Sequence, residues 1–239
     1  MTLPKIDLPL YDLTLQSLGK NVRYRPFTVK EEKILMIALE SNEFSTIVDA
    51  VKQVINNCIA DDIDVDALQM FELEYLFLHL RARSIGEKVQ LTFVCQNVVG
   101  ENNSKCNNEM ETDIDLLQVA LEMKEVNDTI MLTSEVGIKL KFPSIDATKH
   151  LQKDPDNGLY KLIEESTEYL FDKDQTYPVS EMQENEFFNF IDGLTKEQFE
   201  KIKYFFENIP NVKYEGDLTC NKCGKIHRIF LEGILDFFE

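Results

Sequence analysis

The chain has 239 residues, 44% of them hydrophobic and 28% charged, which is ample for a sizeable core and excludes a disordered class. Its 43 acidic side chains against 25 basic ones give a formal net charge of -18. So acidic a polymer repels nucleic acid and anionic lipid as a whole, and its partner surfaces are expected to be neutral or basic.

The first elements read as a hairpin. Leu8, Tyr11, Leu13 and Leu15 lead to a turn at residues 17–20, and Val22, Tyr24 and Pro26 follow, with Gly19 suited to the positive φ of such a turn. Thr28 and Glu31 have capping-box spacing, which predicts a helix over 29–40. That helix is apolar nearly all round at Ile34 to Leu39, so burial on both sides is expected. Phe44, Ile47, Val48, Val51, Val54, Ile55 and Cys58 recur at three and four, the period of a second, amphipathic helix. A third is predicted over 67–83, ending near Gly86.

The period then changes. Val89, Leu91 and Phe93 alternate into Cys95, residues 96–105 form a polar loop, and 110–114 read as the returning strand. Residues 130–142 suggest another hairpin, and 146–171 a helix in two pieces broken near Pro155 and Gly158. Residues 172–178 read as a connector. Capping boxes at Ser180/Gln183 and Thr195/Gln198 open two phenylalanine-rich helices, the second stopped by Pro210. Val212, Tyr214 and Leu218 lead a strand into Cys220, and Ile226, Ile229 and Leu231 lead out.

Cys220 and Cys223, followed by Gly224, carry the strongest chemical signal. Two thiolates three apart at a strand end suit a tight turn that aims both sulfurs at one tetrahedral ion, and the glycine permits the positive φ such a turn uses. A redox pair is the other reading, but that usually opens a helix, whereas β-prone segments flank this one. Cys95 and Cys106 have a ten-residue gap, which is wide for a knuckle. Both still lie where predicted strands meet a polar loop, and Gly100, Asn102 and Asn103 allow that loop to be an insertion. Cys95, Cys106, Cys220 and Cys223 are therefore the expected ligands of one structural ion, zinc in preference to iron–sulfur. His227 is the substitute ligand, and Cys58 is a core residue on a helix face.

Other chemistry is sparse. Of the three histidines, His79 lies mid-helix among apolar residues and His150 in a charged stretch. No phosphate loop, nucleophile elbow or zinc-helix motif occurs, so no enzyme is expected. Lys213, Lys222, Lys225, His227 and Arg228 make a mild basic patch, the basis of an alternative reading as a zinc-ribbon nucleic-acid-binding regulator. A thiol oxidoreductase using Cys220 and Cys223 is a third. Phe237 and Phe238 are candidates to dock on another subunit. No segment has the roughly 18 apolar residues of a membrane span, and residues 1–5 lack a secretory core.

Residues 20–36, with the Leu-Pro-rich stretch before them and the late Cys-x-x-Cys-Gly, resemble the baseplate proteins of T4-like contractile-tailed phages, the family of the baseplate hub subunit and the hub assembly protein. The resemblance implies a structural or assembly role in the central tail hub, with other baseplate and hub proteins as partners. It also implies placement in the virion tail baseplate after synthesis in the host cytoplasm. Arg23, Tyr24, Arg25 and Phe27 are then candidate partner contacts. Alternatively, Tyr24 and Phe27 pack under the first helix while the arginines pair with carboxylates.

The expected fold is α+β and mainly helical, with hairpins at 87–114 and 211–231 forming a small zinc-ribbon-like four-cysteine element. The expected divisions are 1–86 (hairpin and helices), 87–114 with 211–239 (the cysteine element) and 115–210 (hairpin and helices), integrated into one chain fold.

Overall fold

In the computed structural model, which describes residues 6–99, 103–148, 155–183, 185–233 and 236, the N-terminal alternation becomes an antiparallel hairpin. Strands β1 (Tyr11–Leu15) and β2 (Lys20–Tyr24) set Leu13 opposite Val22, and Leu13, Leu15, Val22 and Tyr24 are buried. Helix α1 (Val29–Glu40) starts where Glu31 accepts the Thr28 N–H at 2.8 Å. It buries one stripe, Glu31, Leu35 and Ala38, against α2 (Phe44–Cys58). Met36 and Ile37 remain 56% and 70% exposed, so the expected two-sided burial is corrected. Among the described residues the helix packs on one side, and sequence cannot fix how many neighbours a helix has.

Helix α3 (Met70–Ser84) is the element buried on two faces. Leu73, Leu76, Phe77 and Leu80 join a first core with the hairpin, α1 and α2. Phe71, Leu78 and Ala82 face a second core, formed with β3 (Lys88–Val94), β6 (Glu109–Asp115), β7 (Ala120–Glu122), β12 (Asn211–Thr219) and β13 (Ile226–Glu232). Between β3 and β6 a two-residue ladder, β4 (Val98–Val99) with β5 (Ser104–Lys105), projects as a short arm.

A third core lies between an antiparallel sheet and helices α4 (Pro155–Glu165), α5 (Glu186–Asp192) and α6 (Lys196–Glu207). The sheet runs β11 (Thr176–Pro178), β10 (Thr167–Phe171), β9 (Gly137–Leu140), β8 (Thr129–Met131). Phe142 and Ile209 touch both this core and the second, and Tyr75 touches the first and second.

Strand makes up 30% of the chain and helix 38%, so the molecule is not mainly helical. The miscount has a local cause. Residues 167–171, expected to be helical, pair with β9, and 176–178, expected as connector, pair with β10. Segments of three to five residues hold too few alternations to show a period. The Ser180 box is also corrected: Val179–Glu181 is one 3-10 turn, and α5 begins later, after Asn185 at φ 67. The Thr195 box forms, with Gln198 N–H donating to Thr195 Oγ1 at 3.3 Å and Thr195 N–H to Gln198 Oε1 at 2.8 Å.

The small zinc-ribbon-like element is corrected as well. The hairpins β3–β6 and β12–β13 both form, but β12 recruits β7 as a third strand. Their inner residues, Val89, Leu91, Ile114, Val212, Ile229 and Leu231, pack with α3 in a full hydrophobic core. The cysteines sit at one end of that core, where a free-standing ribbon would have little else to hold it. Among the described residues no helix is long and apolar enough to cross a membrane.

Candidate metal centre

The two hairpins end in turns with the same backbone pattern. In the first, Cys95 N–H donates to Asn108 C=O (2.8 Å) and Asn107 N–H to Cys95 C=O (3.0 Å). In the second, Cys220 N–H donates to Lys225 C=O (2.8 Å) and Gly224 N–H to Cys220 C=O (2.9 Å). The residue after the later cysteine has positive φ in both, 49 at Asn107 and 71 at Gly224. Asparagine and glycine are the residues that enter this region at least cost. The long gap after Cys95 is thus an ordinary turn with an arm looped out of it, closed at its base by Cys106 N–H to Asn97 C=O at 2.7 Å.

The turns bring all four sulfurs within 4.8 Å of one another. Cys95 Sγ lies 3.7 Å from Cys223 Sγ, and Cys106 Sγ lies 3.9 Å from Cys220 Sγ, so each close pair takes one sulfur from each hairpin. These are free thiols, far beyond the roughly 2.05 Å of a disulfide. Four sulfurs at about 2.3 Å from a central ion stand about 3.8 Å apart, so the observed spacings fit a tetrahedral thiolate site. Cys95, Cys106 and Cys220 are buried and Cys223 is partly exposed. The donor set can hold one metal ion.

The backbone favours ionised sulfur. N–H groups two residues after each cysteine, on Asn97, Asn108, Lys222 and Lys225, point at the respective sulfurs. The Lys225 N–H and the Asn97 amide, which donates to Cys223 Sγ at 3.5 Å, hold the Cys223 thiol down at about 6. Burial lifts the Cys95 thiol to about 12 and raises Cys106. At Cys220 burial acts upward too, but the N–H groups of Cys223 and Lys222 outweigh it. His227 Nε2 lies 3.1 Å from Cys95 Sγ, close enough to bond the sulfur without being one of the four.

Residues 8–239 match the family model described as T4 bacteriophage base plate protein. The chain belongs to this family. It is also 27% identical over 223 residues to the baseplate hub assembly protein gp26 of Enterobacteria phage T4, covering 92% of this chain and 94% of that protein. No solved structure matches. The likeness read from residues 20–36 therefore extends over nearly the whole family member.

The other candidates of this base plate protein are placed as follows. Tyr24 and Phe27 are buried at 2% and 8% exposure in the first core. Arg23 is bonded to Asp61 at 2.6 Å, and Arg25 reaches Glu31 (3.1 Å) and the carbonyls of Pro26 and Asn57. The basic patch beside the cysteines is largely engaged: Lys213 with Glu122, Arg228 with Glu215, Lys222 with the Cys106 carbonyl. Carboxylates thus neutralise Lys213 and Arg228, while Lys222 keeps its charge. Cys58 is core, its thiol lifted to about 11 by burial. His79 packs edge-on against Tyr75 at 4.6 Å, and burial, with the charge of Arg83, lowers it to about 4. His150, Gly100, Asn102, Phe237 and Phe238 lie outside the described residues. The roles of Asn97, Asn107 and Asn108 were not anticipated. The signal available was the asparagine pair directly after Cys106, standing where Gly224 stands after Cys223.

Proposed function

We propose that the protein is a non-enzymatic structural or assembly component of the central hub of a contractile phage tail baseplate. In this reading Cys95, Cys106, Cys220 and Cys223 hold one structural zinc, and the protein acts by docking onto other hub proteins. It is made in the host cytoplasm and works at the tail baseplate. The likeness to a hub assembly protein along 92% of the chain carries the assembly role. Convergence of four thiols from hairpins more than a hundred residues apart supports the zinc. The ion would close a very long loop, which removes much unfolded-chain entropy, and no position in the site is left for a substrate once four sulfurs are bound.

Affinity purification of the tagged protein from infected cells tests the role. Co-purification of tail hub proteins, in amounts comparable to the bait, is expected. Recovery of the chain alone at every stage of infection would overturn it. Mass spectrometry of purified virions then separates a resident component from an assembly factor that leaves.

A further inference from the structure

Among the described residues, two strand edges that pair with no further strand border one groove. β13 is the last strand of its sheet and β3 the last of its own, and among the described residues no backbone hydrogen bond joins them. The strands meet at the metal end, where Cys95 Sγ lies 3.1 Å from His227 Nε2. Beyond that contact a cavity of about 440 Å³ separates them, with Gln90, Thr92 and Phe93 on one wall and Phe230 and Leu231 on the other. Asp236 lies at the far end, where its carboxylate accepts the Glu232 N–H at 2.9 Å.

The direction of the backbone groups follows from alternation. Cys95 N–H and Glu87 C=O bond toward the β6 side, so the groups of Gln90 and Thr92 face the opposite way, out of the sheet. Gly233 N–H and Lys225 C=O bond toward β12, so the groups of Arg228 and Phe230 likewise face outward. Proteins usually guard such edges with lysine, proline or a covering loop. Here the exposed side chains along the two strands include Val94, Ile226 and Phe230, at 46%, 59% and 52% exposure. The same outer surface carries Glu111, Asp113, Asp217 and Glu232, against Lys88, with Glu215 already paired to Lys213 and Arg228.

We infer that this slot receives an extended, basic segment of another hub protein as an added strand, a step that rests on the assembly role proposed above. The partner backbone satisfies the groups of Thr92 and Phe230, its apolar side chains cover Phe230 and Ile226, and its lysines or arginines meet the acidic surface. Such a strand would join the two sheets into one.

Residue-resolved amide exchange on the free zinc-loaded protein, and on its complex with co-expressed hub proteins, tests this. The free chain should be monomeric with fast exchange at Thr92 and Phe230, and both amides should slow at least tenfold in the complex. Phe230→Pro and Thr92→Pro remove one outward donor each while leaving the β12 and β6 ladders intact. Both should keep bound zinc and lose hub-protein capture at least tenfold, whereas Ile37→Glu on α1 should keep both. A complex that forms with these amides unprotected, or zinc-loaded proline variants captured as well as the parent, would overturn the inference and leave the assembly role standing. Self-association of the free chain through the same amides would assign the slot to a second copy instead and overturn it too. Failure to bind any hub protein would sink the assembly role and this inference together.

Discussion

Cys95 Sγ and Cys223 Sγ lie 3.7 Å apart although 128 positions separate them in the chain. A contact of that sequence separation is costly in chain entropy, and the proposed shared ion would offset much of that cost. Replacing Cys95 or Cys220 by serine should therefore lose the metal and destabilise the fold by at least about 3 kcal/mol, lowering Tm by about 6–12 °C. Differential scanning calorimetry checks this, and a variant melting within 2 °C (about 0.5 kcal/mol) of the parent would count against it.

The two turns differ in how they reach positive φ, which gives a sharper pair of substitutions. A Cβ at Gly224 meets nothing within 4 Å, so Gly224→Ala carries only the backbone cost of φ 71, about 1–2 kcal/mol. Asn107→Gly relieves the same strain but adds unfolded-state freedom, and should change stability by less than about 0.5 kcal/mol. Urea denaturation of both variants, compared with the parent, reads the difference.

Glu31 should give an acid-dependent term. Burial acts to raise its carboxyl, but hydrogen bonds from Thr28 and Arg25, with the Arg25 charge, bring it down from 4.5 to about 2. The folded value is depressed, so its stabilisation is complete above about 4.5 and fades as pH falls toward 2. Glu31→Gln should cost about 1–2 kcal/mol at neutral pH, since glutamine keeps an acceptor for Thr28 and solvent screens the Arg25 pair, and the gap from the parent should shrink through that window. Denaturant titrations of both proteins across pH, with a gap that stays constant, would refute the assignment.

The exposure of α1 makes a further contrast. Ile37 is 70% exposed, so Ile37→Glu should leave stability within about 0.5 kcal/mol of the parent. Ile55, fully buried on α2, should cost about 2–5 kcal/mol as Ile55→Ala. Equal losses from the two would show that the outer face of α1 is packed in solution.

Sequence periodicity made the long elements legible. α2 repeats its apolar positions over 15 residues, and β3 alternates over 7, enough to reveal both type and face. Both cysteine pairs were readable because each sits where a strand runs into a polar turn. β7, β10 and β11, at three to five residues, carry no usable period and exist because neighbouring strands recruit them. That is why a mixed fold read as mainly helical. The equivalence of Asn107 to Gly224 lay in backbone dihedrals, which sequence only hints at, and the exposure of Met36 and Ile37 depended on where α2 packs.

The most direct measurement is metal content against thiol reactivity on the purified native chain. One zinc per chain is predicted, with four cysteines protected from alkylation until a chelator is added, and no zinc bound after Cys106→Ser or Cys223→Ser. A folded, metal-free protein whose Cys223 alkylates freely, with or without chelator, would contradict the account.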